Sequence, residues 1–286
     1  MNFLGREIRK VEKGPFRQSR KPRLKSPSLI VGWSRDAGCL GPGVIDYLNR
    51  KLGGREFGEF EPVDFFPLNG VQVEDDVAQF PESKLYACED FDLVTFKSDP
   101  PVGEWYKFLN SVLDVVAQDD CRIQELYTVG GMVTPAPHTT PRQFFAVASS
   151  LEMKVLLSHY DLAAETDYQS PPGQRPTLSS FLLWTAKRRN IPGANLWVPI
   201  PFYLVATEDH TARRKVLEFF DKRFGLALDF QEIDERIANQ NERLAQVRLR
   251  FPEIDNYIGR LESSLGLSEE ESEKLVKEIE KLLKGK

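Results

Sequence analysis

Leu29-Ile30-Val31-Gly32-Trp33, followed by Ser34-Arg35-Asp36-Ala37-Gly38-Cys39-Leu40-Gly41-Pro42-Gly43, is an apolar run that passes into a glycine-rich turn. Behind it, Val44, Ile45, Tyr47, Leu48 and Leu52 recur at helical spacing. A short apolar run of this kind suits a strand buried on both faces, and the change of period from strand to helix marks a βα unit. The glycine turn offers backbone N–H groups and a helix N-terminus to an anion. Its spacing matches neither GxGxxG nor the phosphate loop, and no Lys-Ser/Thr follows Gly43, so a close backbone turn is the simpler reading.

Further strands and helices extend the pattern outward. Residues 84–88 and 92–97 read as two strands turning at Glu89-Asp90, a hairpin that makes the sheet mixed and mainly parallel. Trp105, Phe108, Leu109, Val112, Leu113 and Val116 mark a helix with one buried stripe, with Trp105 as a core anchor. Residues 122–129 then form a strand that ends at the Gly130-Gly131 break, where glycine serves positive φ or a close approach to another surface. Residues 143–148 read as extended, 149–157 as a short helix and 177–189 as a helix rich in Leu, Phe and Trp. In Leu196-Trp197-Val198-Pro199-Ile200-Pro201 the prolines indicate an edge or strained strand.

From Thr211 onward the chain reads as helical, divided at Pro252 because proline removes a helix hydrogen bond. Ser268 and Glu271 have capping-box spacing ahead of an apolar stripe of Leu275, Val276, Ile279, Leu282 and Leu283. That stripe must be covered, by the domain itself or by another subunit. The expected organisation is a basic, flexible arm over residues 1–26, an α/β core over 27–228 and a helical extension over 229–286.

The chain has 286 residues, is 41% hydrophobic and carries a net charge of −5, which suits a globular core and argues against a general nucleic-acid surface. The Pro-broken basic stretch at residues 6–25 is the one place suited to phosphates or an acidic partner, and it equally suits a solvated lead-in. Asp161, Glu165 and Asp167 form an acidic stretch before a Ser-Pro-Pro-Gly turn, and Asp75-Asp76 sits in an irregular connection. The cysteines, Cys39, Cys88 and Cys121, are odd in number and lack CxxC spacing, so they read as reduced thiols with neither disulfide nor zinc. No apolar run reaches the roughly 20 residues needed to span a bilayer, and no signal-peptide core opens the chain. A cytoplasmic protein without membrane contact or cofactor is expected.

The residues suited to chemistry are Arg35 and Asp36, Ser98 and Asp99, Gly130 and Gly131, and His138 and Arg142, all at predicted strand ends or the loops beyond them. His138 suits a base and Arg142 an anion holder. Each also has a structural reading: a paired charge at a strand end, a close-packed glycine, a loop-ordering histidine. No nucleophile, base and orienting group stand together, Ser34 and Ser98 lack a nucleophile elbow, and the cysteines lack a histidine partner.

Four stretches resemble the proteasome assembly chaperone family, in its archaeal and bacterial form and more specifically its actinobacterial-type members. They are residues 28–38; Glu104-Trp105 through Phe108; Val129-Gly130-Gly131 continuing to Pro137-His138-Thr139 and Pro141; and residues 196–203. A weaker match, Tyr257-Ile258-Gly259-Arg260-Leu261-Glu262, extends the likeness over roughly residues 27–262. The resemblance implies a three-layer α/β/α sandwich similar to nucleoside phosphorylases and peptidyl hydrolases, a homo-oligomer with a trimer favoured, and no established catalytic residues. It implies assembly work on proteasome-related or other protein subunits. Archaeal members dock through a C-terminal hydrophobic-Tyr-any tripeptide, whereas this chain ends Leu283-Lys284-Gly285-Lys286, so docking in that mode is not expected. The expected function is a non-enzymatic assembly or scaffold protein. The alternative is a nucleoside- or phosphate-type binding protein, or a hydrolase- or phosphorylase-like enzyme, using the strand-end residues.

Overall fold

The computed structural model describes residues 15–61, 65–66, 72–74, 76–118, 121–160, 162, 173 and 176–284. Residues 1–14 of the basic arm, Asp75, and Asp161, Glu165 and Asp167 lie outside them.

The described strands are β1 (Phe16–Gln18), β2 (Ser28–Trp33), β3 (Arg55–Phe60), β4 (Gln72–Glu74), β5 (Val77–Gln79), β6 (Ser83–Cys88), β7 (Leu93–Ser98), β8 (Glu125–Thr134), β9 (Phe145–Ala148) and β10 (Gly193–Pro201). The helices are α1 (Leu40–Leu52), α2 (Trp105–Val116), α3 (Leu151–Leu157), α4 (Leu178–Arg188), α5 (His210–Phe224), α6 (Gln231–Arg250), α7 (Pro252–Glu262) and α8 (Glu269–Lys284). Eight strands form one sheet in the order β1-β3-β6-β7-β2-β8-β10-β9, and β4 with β5 makes a separate hairpin. The run β7-β2-β8-β10 is parallel and the flanking pairings are antiparallel, so the sheet is mixed.

Strand β2 is buried along its whole length. Its side chains alternate between two cores: Ile30 faces α1 and α5, whereas Leu29, Val31 and Trp33 face α2 and α4. This is the three-layer α/β/α sandwich. Trp105 sits at the rim rather than in the core: it is half-buried, and its indole donates to the Pro101 carbonyl. The anchors of α2 are Phe108, Leu109, Val112, Leu113 and Val116.

Three further sequence expectations are corrected. Order begins before Ser28, because Phe16–Gln18 pairs antiparallel with Phe60–Gly58 and the Phe16 ring packs on Phe57 and Phe60. Strand β10 is not an edge, since it lies between β8 and β9. Its pairing with β9 ends at Trp197, however, so Pro199 and Pro201 lie where the outer edge has no strand to donate to. Strand β8 does not end at Gly130-Gly131 but continues to Thr134, and neither glycine has positive φ. Of the two reasons for glycine, close approach is the one that applies.

The C-terminal helices close the α1/α5 face. Ile233, Leu244, Val247, Ile254, Ile258, Leu275 and Ile279 join the same apolar cluster as Ile30 and Val129. The α8 stripe therefore folds back on its own chain, against the turn at Phe202–Leu204 and against α6 and α7. Pro252 opens α7, and the capping box forms: Glu271 N donates to Ser268 Oγ at 3.2 Å and Ser268 N to Glu271 Oε2 at 2.7 Å.

Candidate functional site

The strands flanking β2, namely β7 and β8, are reached by chain running to opposite sides of it, which places a switch point of the parallel sheet at the C-terminal end of β2. The predicted site residues fall there in three groups.

The first group lies over β7. Ser98 Oγ is buried, 3.0 Å from Ser83 Oγ and 2.7 Å from the Asp99 carbonyl. Asp99 Oδ2 accepts from Glu82 N at 3.0 Å. Arg35 reaches Asp99 at 3.9 Å from an exposed position, a pairing of little energetic weight.

The second group joins the turn after β2 to β8. Asp36 Oδ2 accepts from Gly41 N at 2.9 Å, and Asp36 Oδ1 accepts from Gly131 N at 2.9 Å. A Cβ on Gly131 would run into the Ala37 carbonyl and come within 2.8 Å of Ile200 Cγ1, so only glycine lets β8 pass this close. Gly130 has only ordinary contacts, with the Trp197 ring and Asp36. The helix also starts earlier than its apolar pattern, at Leu40, so Gly41 and Gly43 lie inside α1.

The third group braces the loop after β8. Arg142 donates from Nε and Nη2 to Asp209 Oδ2 at 3.1 and 2.9 Å, with side chains 5% and 1% exposed. Arg142 Nη1 also donates to the Thr140 carbonyl at 2.9 Å. Asp209 caps α5 by accepting from Ala212 N at 2.9 Å, and its own N–H donates to the Gly38 carbonyl at 3.0 Å. His138 N donates to the Tyr203 hydroxyl at 2.6 Å, and His138 Nδ1 lies 2.8 Å from the same oxygen. Asp36 and Gly131 are thus bonded directly, and Asp209 connects Arg142 to the turn that Asp36 opens. Arg35, Ser98 and Asp99 make their contacts separately.

Two of these groups titrate in opposite senses. Burial pushes the Asp36 carboxyl up to about 6, against the pull of the Gly131, Gly41 and Ala37 N–H groups. Burial, with Arg248 and Arg142 nearby, pushes the His138 imidazole down to about 4. Between the ordinary value of 3.8 and about 6 the folded chain holds the Asp36 proton that the unfolded chain has lost, so this group's contribution falls as pH rises. Between the ordinary 6.5 and about 4 the unfolded chain protonates His138 first, so that contribution falls as pH drops. Each spans about 3 kcal/mol at full extent. Urea denaturation from pH 4 to 6.5 should show Asp36→Asn losing stability more steeply on acidification than the wild type, and His138→Gln less steeply. Parallel profiles for all three proteins would contradict both assignments.

A second feature lies on the opposite helical layer. Phe181 and Trp184 stack at 5.3 Å, Tyr106 approaches Trp184 at 6.3 Å, and Arg188 lies 5.0 Å above the Trp184 ring. Tyr106 and Trp184 are 53% and 43% exposed. Residues 181, 184 and 188 are neighbours on one face of α4 by the helical period, so the 177–189 pattern carried this signal. What it did not show is that both helices leave aromatics on the solvent side.

The sequence profile of the PAC2 family matches residues 29–248. The chain belongs to the PAC2 family. No curated protein sequence matches it. Its fold is similar to that of a Mycobacterium tuberculosis protein of unknown function, with TM-score 0.74, 18% identity and 91% of each chain covered. It is also similar to a Mycobacterium tuberculosis proteasome-assembly chaperone homologue, with TM-score 0.66, 16% identity, and 81% of this chain and 99% of that one covered. A Pyrococcus furiosus archaeal proteasome activator gives TM-score 0.66 and 20% identity over 82% and 98% of the two chains. Among the described residues of this PAC2 chain, no group of three His, Cys, Asp or Glu is placed to hold a metal ion, and no helix is long and apolar enough to cross a membrane.

Asp209 and Tyr203 are the residues of the strand-end brace that sequence reasoning missed. Asp209 carried a local signal, an N-cap type ahead of a helix. Nothing local shows that it meets Arg142.

Proposed function

We propose that this PAC2 protein is a non-enzymatic assembly chaperone or scaffold that acts through protein surfaces and self-associates, with a trimer favoured. The observation that carries this reading is the aromatic face of α2 and α4, with exposed Tyr106 and Trp184 contiguous through the half-buried Phe181 and Arg188 at its rim. Contiguous exposed apolar surface of this kind marks an interaction site, and Tyr, Trp and Arg are the residues that dominate such contacts. The fold likeness to a proteasome-assembly chaperone homologue and a proteasome activator supports proteasome-related subunits as partners. The strand-end residues serve in this reading as an internal brace, with Asp36 and Arg142 committed to backbone and Asp209.

The test is light scattering coupled to size exclusion, with cross-linking capture of partners from the native cell. The wild type should run as an oligomer, and Tyr106→Glu with Trp184→Glu should shift it towards monomer or remove the captured partner. A wild type that is monomeric at all concentrations and captures no stoichiometric protein sinks the proposal. In the nucleoside- or phosphate-binding reading, those ligands should raise Tm saturably and Arg142→Lys should remove the effect.

A further inference from the structure

A crevice runs between the turn before α5 and helix α6, beside Asp209 and lined by none of the sequence-predicted strand-end residues. One part, about 220 Å³, is lined by Gly43, Asp46, Arg50, Glu208, Arg213 and Arg236, among others. A wider trough of about 590 Å³ adjoins it, sharing Glu208 and Arg236 and adding Thr207, His210, Asn239 and Gln240, with the acidic Glu232 and Glu235 on the α6 side.

Among the described residues, three of the four buried side-chain polar atoms without a hydrogen-bond partner border this crevice: Arg213 Nε, Arg213 Nη2 and His210 Nδ1. Arg213 is only 6% exposed. Its guanidinium lies flat on α1 at Gly43, where any Cβ would collide with it. Its ion-pair partner among the described residues is Glu208, whose Oε1 is 2.9 Å from Nη2 without hydrogen-bond alignment, and the Glu208 side chain is 47% exposed. A buried guanidinium with poorly satisfied donors is costly, and the paired oxygens of a carboxylate or phosphate are the acceptors its fork fits. Arg236, itself half-exposed, stands across the opening, 4.0 Å from Glu208 and 3.1 Å from Glu232.

We propose that this crevice binds a small polar molecule through a phosphate or carboxylate group, which takes the place of the Glu208 carboxylate on Arg213. The narrow part has room for the oxyanion, being smaller than a pocket for a drug-sized ligand. The trough then receives a polar body against Thr207, Asn239 and Gln240. Glu208, on the exposed side, is a tethered competitor that swings outward when the ligand enters. This site is independent of the aromatic face and of the assembly reading.

Calorimetric titration of the full chain with inorganic phosphate, and separately with succinate, at constant ionic strength, tests the assignment and tells the two oxyanions apart. Saturable binding of at least one is expected. Arg236→Gln removes one charge-assisted partner and should weaken it about tenfold. Glu208→Gln removes the competitor and should tighten it several-fold. Both substitutions are at exposed side chains, so the fold is retained, and thermal denaturation of each variant checks this. Absence of saturable binding by either anion overturns the proposal. So does binding that is unchanged in Arg236→Gln, or unchanged or weakened in Glu208→Gln.

Discussion

Arg142→Ala is expected to destabilise the chain by about 3–5 kcal/mol, because it strands the Asp209 carboxylate in a site that is 1% exposed. Two hydrogen bonds to Asp209 and one to the Thr140 carbonyl disappear together. The loss does not stop at the pair. Asp209 also caps α5 and bonds by its own N–H to Gly38, in the turn that follows β2. In a chain of this size each kcal/mol moves Tm by roughly 2–4 °C, so a drop near 10 °C should appear in a thermal melt. Arg142→Lys keeps the charge without the fork and should recover only part of it. Arg142→Leu combined with Asp209→Asn should cost less than the two single substitutions summed, since no buried charge is then left unpaired. A change below about 1 kcal/mol in Arg142→Ala would mean that the pair is not desolvated.

Gly32→Ala should cost about 3 kcal/mol or more. A Cβ there would stand 2.6 Å from the Gly41 carbonyl carbon, 2.7 Å from its oxygen and 2.9 Å from Ile45 Cδ1. The central strand is held between β7 and β8, so the start of α1 must move. That movement would pull Gly41 N from Asp36 and loosen the turn on which the strand-end brace rests. Trimming Ile45 to Val in the same protein removes only the side-chain clash and should rescue little. The control is Gly259→Ala in α7, where a Cβ meets nothing within 4 Å and φ is not positive. That substitution should be neutral or stabilise by up to about 1 kcal/mol. Urea midpoints that rank the two alanine variants equally would show that the β2–α1 approach is looser than the glycine pair indicates.

The strand-end group shows where sequence reading stopped. Asp36 and Gly131 were both singled out, yet their bond spans 95 positions and has no local trace. The double glycine carried a real signal for close approach, but a glycine pair reads the same whether the strand ends there or slides past another backbone. His138 suits a base by residue type alone, and its burial beside Arg248 and Arg142 makes it a weaker proton acceptor, with its pKa pushed down to about 4. Arg213 gives no signal of its own. It sits in the first turn of α5 in a polar stretch, and the absence of a side chain at Gly43 leaves room for it to turn inward.

By itself the sequence determined the βα unit at residues 28–52, the mixed sheet, the helix division at Pro252, the capping box at Ser268 and the family. The structural features follow from periodicity, caps and turn residues, which act within a few positions of one another, and the family from the order of its motif stretches. The tertiary structure alone decided that β8 runs on through Gly130-Gly131, that Phe16 opens an edge strand, that α8 folds back on its own chain, and that Arg142 is consumed by Asp209. In each of these the deciding energy comes from burial and charge pairing between segments far apart in the chain. Neither term has a value until the strand order brings those segments together.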